Sequence, residues 1–309
     1  MTTAHAPGKL VLSGAYVVLD GAEAVVVAVD RYAVAYADRQ GSGHSPELRE
    51  AFLGQVPPFV DTSSMWTRDR KIGLGSSSAA LVAALGARAH FPGADAGDAV
   101  VRAEILHAAY SAHRRAQGGG SGIDVCACTY GGVLLCRIAA EGPPTFDRLT
   151  LPASLHLTAF RCPESSSTSR LLGGVRALRT RDRAAYDALT ASAVAGAATV
   201  ADGLRTSDTA AVLRGLRAQM LAMRALGDAT SAPILPAYLR ALDDRRDDPS
   251  GTVLQAGAGG GDVALYASWQ PASRKFLANA EALGLIELPL RYGVGGVAPG
   301  PPPGNPVNV

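Results

Sequence analysis

A glycine- and serine-rich segment, Gly73–Ala80, leads directly into the apolar, helix-favouring run Leu81–Leu85. Glycines let a backbone approach an anion closely, and the free N–H groups at the start of a helix attract negative charge. The segment is therefore interpreted as a loop that binds the phosphates of a nucleotide. The alternative interpretation is an ordinary Gly/Ser cap on a buried helix.

This loop matches neither of the two best-known phosphate-binding motifs. It has no G-x-x-x-x-G-K-[ST], and Ser78 stands where G-x-G-x-x-G would place its third glycine. The H-R-D and D-F-G segments of protein kinases are also missing from the sequence. A nucleotide site in this chain therefore requires a different fold.

Composition limits the possible classes of protein. The chain has 309 residues, of which 48% are hydrophobic and 18% charged, as in a globular protein with one large or two medium domains. The net charge of +2 gives no electrostatic argument for binding nucleic acid or a membrane. No apolar run reaches transmembrane length, and the N-terminal residues do not resemble a secretory signal. We expect a cytoplasmic protein with no nucleic-acid or membrane partner.

Metal-binding patterns are weak. The four cysteines, Cys126, Cys128, Cys136 and Cys162, lack the paired spacing of zinc sites, so buried, reduced thiols are expected. His107 and His113 are six residues apart on a predicted helix, a poor spacing for a ligand pair, and neither is assigned to metal.

Elements of the first half alternate between strand and helix signals. The predicted elements are strands at Lys9–Leu19 and Ala24–Asp38 joined by a turn at Asp20–Gly21, a polar connection over residues 40–69, a helix after the Gly73 loop, a helix at Ala96–Gln117 stopped by Gly118–Gly120, a short helix after Gly122 and a strand at Gly132–Ile138. The residues Glu141–Pro144 are typical of a domain boundary.

The second half is predicted to fold as an α+β domain of the split βαβ kind. Its predicted elements are a strand at Leu155–Cys162, helices at Thr168–Arg179, Arg183–Leu204, Thr209–Leu226 and Pro233–Asp244, strands at Thr252–Ala256 and Val263–Ala267, a helix at Pro271–Leu283 and a strand at Leu285–Leu290. The Pro- and Gly-rich residues 298–309 are predicted to be a disordered tail.

Four segments occur in the order of the motifs of the GHMP kinase superfamily. They are Ala6–Tyr16, the Gly73 loop, Gly120–Asp124 and Gln255–Asp262. The chain therefore resembles this superfamily over nearly its whole length. The resemblance implies an α+β, two-domain fold, with a ribosomal-S5-like N-terminal domain over residues 1–145 and a ferredoxin-like C-terminal domain over residues 146–297.

Within the superfamily, the details are most similar to the phosphomevalonate kinase family. Lys71 opens a K-x-G-L-G-S-S segment, Ser13–Leu19 resembles that family's G-x-Y-x-V-L form, and His113 stands where mevalonate kinases carry a magnesium-binding glutamate. The Ser165–Ser169 cluster resembles the S-x-S-T-S segment of that family, and Asp262 matches the last residue of its G-A-G-G-G-D loop. Ala256 is a departure, because many relatives have serine there. The resemblance implies transfer of a phosphoryl group from ATP to 5-phosphomevalonate.

Lys9 and Asp124 are the candidate catalytic residues. Phosphoryl transfer needs positioning, neutralisation of charge and a group that orients the nucleophile, and a lysine and an aspartate can supply the last two. Asp124 can also be a helix N-cap, and Lys9 a solvated charge at a strand edge.

The resemblance implies further site residues, and it implies ATP and Mg²⁺ as cofactors. The expected nucleotide-binding residues are Lys71, Gly73, Leu74, Gly75, Ser76, Ser77, Ser78 and Ala79, with Ser77 also at the metal. The expected substrate-binding residues are Ser13, Tyr16, Ser121, Gly122, Ser166, Ser167, Thr168, Ser169, Gly257, Ala258, Gly259, Gly260 and Asp262.

Other functions fit the same motifs. A mevalonate kinase or a diphosphomevalonate decarboxylase would share the superfamily, and a nucleotide-binding regulator without activity would share the fold. Retention of Lys9, Asp124 and the loop serines together argues against a regulator. The protein is expected to be a monomer or a homodimer.

Overall fold

The computed structural model describes residues 3–42, 45–67, 70–90, 95–165 and 168–304, with the backbone alone at residues 90 and 168–170. The chain forms two compact units. The first holds the residues up to Leu10, Val26–Arg148 and the residues from Arg291, and the second holds Val11–Val25 and Leu149–Leu290. Neither unit is one continuous stretch, whereas the sequence predicted continuous domains over residues 1–145 and 146–297.

Strands and helices occur in runs along the described residues. The strands are β1 Thr3–Ser13, β2 Ala24–Gln40, β3 Pro58–Asp61, β4 Val133–Arg137, β5 Thr145–Leu149, β6 His156–Arg161, β7 Thr252–Gln255, β8 Val263–Ser268, β9 Ile286–Leu288 and β10 Ala298–Pro299. The helices are α1 Pro46–Ala51, α2 Ser76–His90, α3 Ala99–Gln117, α4 Ile123–Tyr130, α5 Thr168–Arg181, α6 Arg183–Thr206, α7 Thr209–Thr230, α8 Ala237–Asp243 and α9 Arg274–Ala282.

A sheet with the strand order β10-β1-β2-β4-β5 forms the first unit, with β3 paired to β2. Strand β1 is buried over almost its whole length, as expected for an inner strand covered on both faces. Helices α2, α3 and α4 pack against one another, and α1 packs on α2 and α3. The motif-bearing ends of β1, α2 and α4 therefore belong to one packed unit.

Capping residues set the bounds of α3. Asp98 accepts hydrogen bonds from the amides of Val100 and Val101, at 2.8 and 3.3 Å, and Gly118 ends the helix in the left-handed conformation with φ +65°. The glycine stop that the sequence predicted is confirmed.

An antiparallel sheet with the order β7-β8-β6-β9 forms the second unit. Helices α5–α8 lie between β6 and β7 in the chain, and α9 lies between β8 and β9. This β-α-β-β-α-β arrangement is the ferredoxin-like, split βαβ pattern. The predicted α+β class is therefore confirmed.

Several local predictions were wrong. Strand β1 ends at Ser13, because the chain turns at Gly14 with φ +83°, and Val17–Asp20 forms a short 3₁₀ helix instead of strand. The polar connection contains α1 and β3, and β5 follows the Pro-rich segment.

The C-terminal residues also differ from the expectation. Ala298 pairs with His5 and Pro299 with Ala4, so β10 forms the edge of the first sheet. Proline lacks an N–H group and is suited to an edge strand. Of the predicted disordered tail, the residues from 305 lie outside the described part of the chain.

Candidate active site

The glycine-rich loop ends where helix α2 begins. Gly73 and Gly75 adopt φ values of +98° and +74°, and Ser76 is the first residue of the helix. The amide of Ala79 donates to the carbonyl of Gly75 at 3.0 Å, which opens the intrahelical ladder. The amides of Ser76–Ser78 precede that ladder, so they are the N–H groups that a helix start offers to an anion.

The loop residues contribute in different ways. Ser77 is half-buried, whereas Ser76 and Ser78 are buried, with exposures of 9% and 2%. Of the three hydroxyls, that of Ser77 is the most accessible to a ligand or metal. Leu74 and Ala79 are fully buried, so their side chains belong to the core and only their backbone can contact a nucleotide.

Lys9 lies directly against this loop. Its amide donates to the carbonyl of Leu74 at 2.9 Å. A Cβ atom added to Gly75 would lie 2.7 Å from Lys9 Cε, so any other residue at this position would displace the lysine side chain. The positive φ of position 75 and the lysine that crosses it both favour glycine there.

Lys9 and Asp124 form an ion pair. Lys9 Nζ lies 3.1 Å from Asp124 Oδ2, with 12% and 32% of the two side chains exposed. Lys9 belongs to an inner strand, and Gly122, with φ +71°, is the N-cap of α4. The alternative interpretations of an edge-strand charge and an N-cap aspartate are therefore wrong, and Asp124 occupies the first turn of α4.

The neighbours of Asp124 fix the start of α4. A Cβ atom on Gly122 would lie 2.5 Å from the Tyr110 ring, so this glycine packs against α3, and Ser121 beside it is half-buried. Cys128, one turn along α4, is fully buried, and burial together with the Asp124 charge raises the pKa of its thiol. The Cys128 thiol is therefore uncharged near the ion pair.

An open cleft of about 200 Å³ adjoins the start of α2. Ser76, Ser77 and Ala80 line one side, and Lys71, Trp66 and Phe59 are among the other lining residues. Lys71 Nζ lies 5.5 Å from the centre of the Trp66 ring, in a cation–π contact. The cleft offers two aromatic side chains, together with polar groups, beside the phosphate loop.

The sequence prediction missed the aromatic side chains of this cleft. Trp66 and Phe59 stand in the segment that was expected to be a polar connection. Both are exposed large hydrophobic residues, at 42% and 41%. Two aromatic residues within a polar segment just ahead of a phosphate loop were the available signal.

In the second unit, the serine cluster meets the glycine loop 257–262. Ser165 Oγ donates to Asp262 Oδ1 at 2.8 Å, and the amide of Asp262 donates to the carbonyl of Glu164 at 3.1 Å. Ser166 and Ser167 lie outside the described residues, as do the side chains of Thr168 and Ser169. The structure therefore brings the two predicted substrate segments together at Ser165 and Asp262.

The glycine loop is held along its length. The amide of Gly260 donates to the carbonyl of Ile234 at 3.0 Å, and a Cβ atom on Gly259 would lie 2.2 Å from that oxygen. Gly257, with φ +84°, has open space around it. The interpretation of a merely flexible turn does not fit a loop with this many backbone anchors.

Ser13 and Tyr16 bond within the second unit. Ser13 Oγ lies 3.1 Å from Gln219 Oε1 and 2.9 Å from Gln219 Nε2. The Tyr16 hydroxyl donates to the carbonyl of Ala258 at 2.7 Å. Both polar groups, which the sequence assigned to substrate, are engaged by the protein itself.

The predicted burial of the four cysteines is confirmed. All four cysteine side chains are buried. His113 is buried, whereas His107 is exposed on the same helix. Within the described ranges, no group of three or more His, Cys, Asp or Glu side chains could hold a metal ion. None of the helices in the described part of the chain has the length and apolarity to cross a membrane.

Residues 54–132, which contain the glycine-rich loop and Asp124, match the family described as GHMP kinases N terminal domain. The phosphomevalonate kinase of Streptomyces sp. (strain CL190) is 26% identical over 368 residues, covering 95% of this chain and 97% of that protein. The structure of the Lin0012 protein from Listeria innocua superposes with a TM-score of 0.81 at 20% identity, covering 97% and 99% of the two chains.

Phosphomevalonate kinase from Streptococcus pneumoniae, in complex with phosphomevalonate and AMPPNP, superposes with a TM-score of 0.75. It is 16% identical, and the match covers 94% of this chain and all (100%) of that one. At these identities the two structural matches show the shared fold, and the family match covers the part of the chain that carries the phosphate loop. Residues 54–132 thus match the GHMP kinases N terminal domain family, and together the comparisons indicate an ATP-dependent kinase of small molecules.

Proposed function

We propose that this kinase transfers the γ-phosphoryl group of ATP to 5-phosphomevalonate, giving 5-diphosphomevalonate. The observation that carries the proposal is the Lys9–Asp124 ion pair, set against the phosphate loop at Gly75. The choice of acceptor is supported by the 26% identical phosphomevalonate kinase and by the motif details at Lys71 and the Ser165–Ser169 cluster.

Nucleotide binding is assigned to the first unit. The amides of Ser76–Ser78 and the positive end of the α2 dipole attract the phosphates. The cleft lined by Trp66 and Phe59 accommodates the base, because an aromatic face stacks well on a purine. Lys71, beside Trp66, adds positive charge at the edge of the same cleft.

Oxygen donors for Mg²⁺ are present near the loop. Magnesium in phosphoryl-transfer sites takes one or two carboxylates, substrate phosphates and several waters. The Asp124 carboxylate and the accessible Ser77 hydroxyl suit that donor set. When bound, the ion would neutralise the charge on the ATP phosphates.

Lys9 and Asp124 have different roles in phosphoryl transfer. The ammonium of Lys9 donates hydrogen bonds to the transferring phosphoryl oxygens, where negative charge accumulates in the transition state. Asp124 fixes the direction of that ammonium. A phosphate monoester acceptor is largely ionised near neutral pH, so removal of a proton by a strong base is not required. Asp124 therefore orients more than it deprotonates.

Acceptor binding is assigned to the second unit. Asp262 holds the Ser165 hydroxyl, and the anchored glycine loop presents backbone amides to an anion. We further propose that Ser166, Ser167, Thr168 and Ser169 hold the acceptor phosphate, as the resemblance implies. The expected binding partner is this small-molecule substrate. The protein itself is expected to be a monomer or a homodimer.

Acceptor-dependent ADP release tests this proposal. The wild-type protein is assayed at fixed ATP and Mg²⁺ with mevalonate, 5-phosphomevalonate and 5-diphosphomevalonate. A site built to pair an anion leaves donors unpaired when that anion is missing. We expect kcat/KM for 5-phosphomevalonate to exceed that for mevalonate by at least about 100-fold. A preference for mevalonate, or turnover of the diphosphate, would show that 5-phosphomevalonate is not the acceptor. The assignment as a small-molecule kinase would still hold.

A further inference from the structure

Tyr16 adopts a backbone conformation that few large side chains take. Its φ and ψ are +68° and −52°, and the amide of Val17 donates to the carbonyl of Ala15 at 2.9 Å. These values describe the form of γ-turn with positive φ, which is rare and strained. A residue with a Cβ atom keeps such a conformation only where surrounding contacts hold it, and such strain clusters at functional sites.

The contacts that hold this turn come from Gln219 on α7. Gln219 Oε1 accepts from the amide of Gly14 at 2.7 Å, and its amide nitrogen donates to Ser13 Oγ at 2.9 Å. Gln219 is 7% exposed, so these bonds form away from solvent. Gly14 itself has φ +83° and packs against the backbone of Glu23 and Ala24. The residues just before Tyr16 are therefore held by Gln219 and by the backbone of Glu23 and Ala24.

The Tyr16 side chain extends from the turn to the glycine loop. Its ring is 8% exposed and belongs to a buried cluster with Leu171 and Val175 of α5 and with Ile234. Its hydroxyl donates to the carbonyl of Ala258 at 2.7 Å. Burial raises the pKa of the Tyr16 phenol, so it remains a hydrogen-bond donor at all working pH values.

Several other contacts hold the C-terminal half of the loop. Gly260 donates to the carbonyl of Ile234, and Asp262 bonds to the backbone of Glu164 and Cys162 and to the Ser165 hydroxyl. The Tyr16 bond acts on Ala258, in the N-terminal half. Without the Tyr16 hydrogen bond, the Ala258 carbonyl would no longer be held in place, and the neighbouring backbone amides would no longer keep one orientation.

We propose that Tyr16 is a positioning residue, which uses its strained turn and its phenol to hold the Ala258 carbonyl and so to present the glycine loop to the acceptor. Gln219 supports it by holding the turn. The assignment of the loop to the acceptor rests on the proposed function. The mechanical link between Tyr16 and the loop does not.

The variant Tyr16→Phe removes the hydroxyl and keeps the ring. Tyr186→Phe is a matched control, because Tyr186 is a buried tyrosine of the same unit whose hydroxyl donates to Asp20 at 2.6 Å. Steady-state kinetics and hydrogen exchange of the backbone amides of residues 256–262 are measured for both variants. Melting temperatures show how far each loss of a hydrogen bond affects folding.

We expect Tyr16→Phe to raise KM for the acceptor about 3- to 10-fold, with KM for ATP unchanged and faster exchange in the loop. Tyr186→Phe is expected to change neither the acceptor KM nor the loop exchange. Equal loop exchange in Tyr16→Phe and wild type would overturn the proposal. So would a KM increase shared equally by ATP and the acceptor.

Failure of the proposed function has a different signature. If the wild type prefers another acceptor, the KM values of the variants are compared with that acceptor. The hydrogen-exchange measurement requires no acceptor, so it tests the link between Tyr16 and the loop in either case. Gln219→Met, which keeps the length of the side chain, is expected to reproduce the exchange effect of Tyr16→Phe. Unchanged loop exchange in that variant would remove Gln219 from the proposal.

Discussion

The Lys9 ammonium and the Asp124 carboxylate lie 3.1 Å apart, and the Lys9 stem crosses the face of Gly75. The pair thus joins strand β1, the phosphate loop and helix α4 within the first unit. Because the aspartate is partly exposed, the ion pair contributes only about 0–1 kcal/mol to folding. Its geometry is better explained by a role toward a ligand than by stability.

Replacing either member of the pair should abolish most of the activity. We expect Lys9→Met and Asp124→Asn each to lower kcat by about 100- to 10,000-fold, because Lys9 acts on the developing charge and Asp124 orients Lys9 and offers a donor to Mg²⁺. The melting temperature should change by no more than a few degrees. Initial rates and thermal unfolding of the purified variants measure the two effects.

Asp147→Asn is the control for removal of a charge. Asp147 pairs with Arg137 at 2.8 Å in the same unit, and both side chains are exposed. This variant should keep full activity. Activity of Lys9→Met or Asp124→Asn within about tenfold of wild type would contradict the assigned roles.

Gly75→Ala should damage nucleotide binding through Lys9. The new methyl group would collide with the lysine stem, and alanine would be strained at φ +74°. Gly54→Ala imposes the same kind of strain at φ +73°, where a Cβ atom meets open space. Each variant should lose about 1 kcal/mol of folding stability from the backbone strain. By calorimetry, only Gly75→Ala should weaken ATP binding by tenfold or more, and equal ATP affinities would refute the steric explanation.

Trp66 should report nucleotide binding by fluorescence. The chain has two tryptophans, and Trp66 lines the cleft in the first unit, whereas Trp269 belongs to the second. Titration of Trp269→Phe with ATP should change the emission of Trp66, because a stacked base alters its surroundings. A Trp66→Leu variant should bind ATP more weakly by about 1 kcal/mol or more. Emission that stays constant while calorimetry detects binding would place the base elsewhere.

Glu47 should make folding stability depend on pH at the acidic end. Burial raises the pKa of Glu47, but hydrogen bonds from the Gln117 side chain, from its own amide and from Ser45 outweigh burial, so the pKa lies below its ordinary value of 4.5. The ionised Glu47 carboxylate therefore stabilises the folded state fully above the pKa that Glu47 has in the unfolded chain. This stabilisation is lost as pH falls through the lower pKa of Glu47 in the folded protein.

Glu47→Gln tests this sign by urea unfolding at pH 7 and at pH 3. The variant should be less stable than wild type at pH 7, and the difference should shrink toward pH 3. In a Gln117→Ala background the difference at pH 7 should also shrink, because the two residues share a hydrogen bond of 3.0 Å. If the difference in unfolding free energy between wild type and Glu47→Gln is the same at both pH values, the charge of the Glu47 carboxylate does not contribute to stability.

Local motifs allowed much of this site to be predicted. Glycines, hydroxyl residues and a following helix signal predict the start of α2, and Gly118 predicts the end of α3, because caps depend on a few adjacent residues. The pairing of Lys9 with Asp124 agrees with the interpretation of their motifs. Their catalytic and binding roles remain predictions.

Contacts between distant segments were not predictable in this way. The pairing of His5 with Ala298 and the bond from Tyr16 to Ala258 join residues far apart in sequence, and no local periodicity encodes them. For the same reason the sequence suggested continuous domains. The sequence-based assignment of Tyr16 to substrate rested on its position in a motif, without the partner that its hydroxyl has in the fold.

Identification of the reaction product is the sharpest test of transfer to 5-phosphomevalonate. The wild-type protein is incubated with ATP, Mg²⁺ and 5-phosphomevalonate, and the mixture is followed by ³¹P nuclear magnetic resonance and by mass spectrometry. We predict the coupled signals of a new diphosphate ester, a mass increase of one phosphoryl group on the acceptor and no loss of carbon dioxide. If 5-phosphomevalonate stays unchanged under conditions in which mevalonate is phosphorylated, or if carbon dioxide is released, this protein is not a phosphomevalonate kinase.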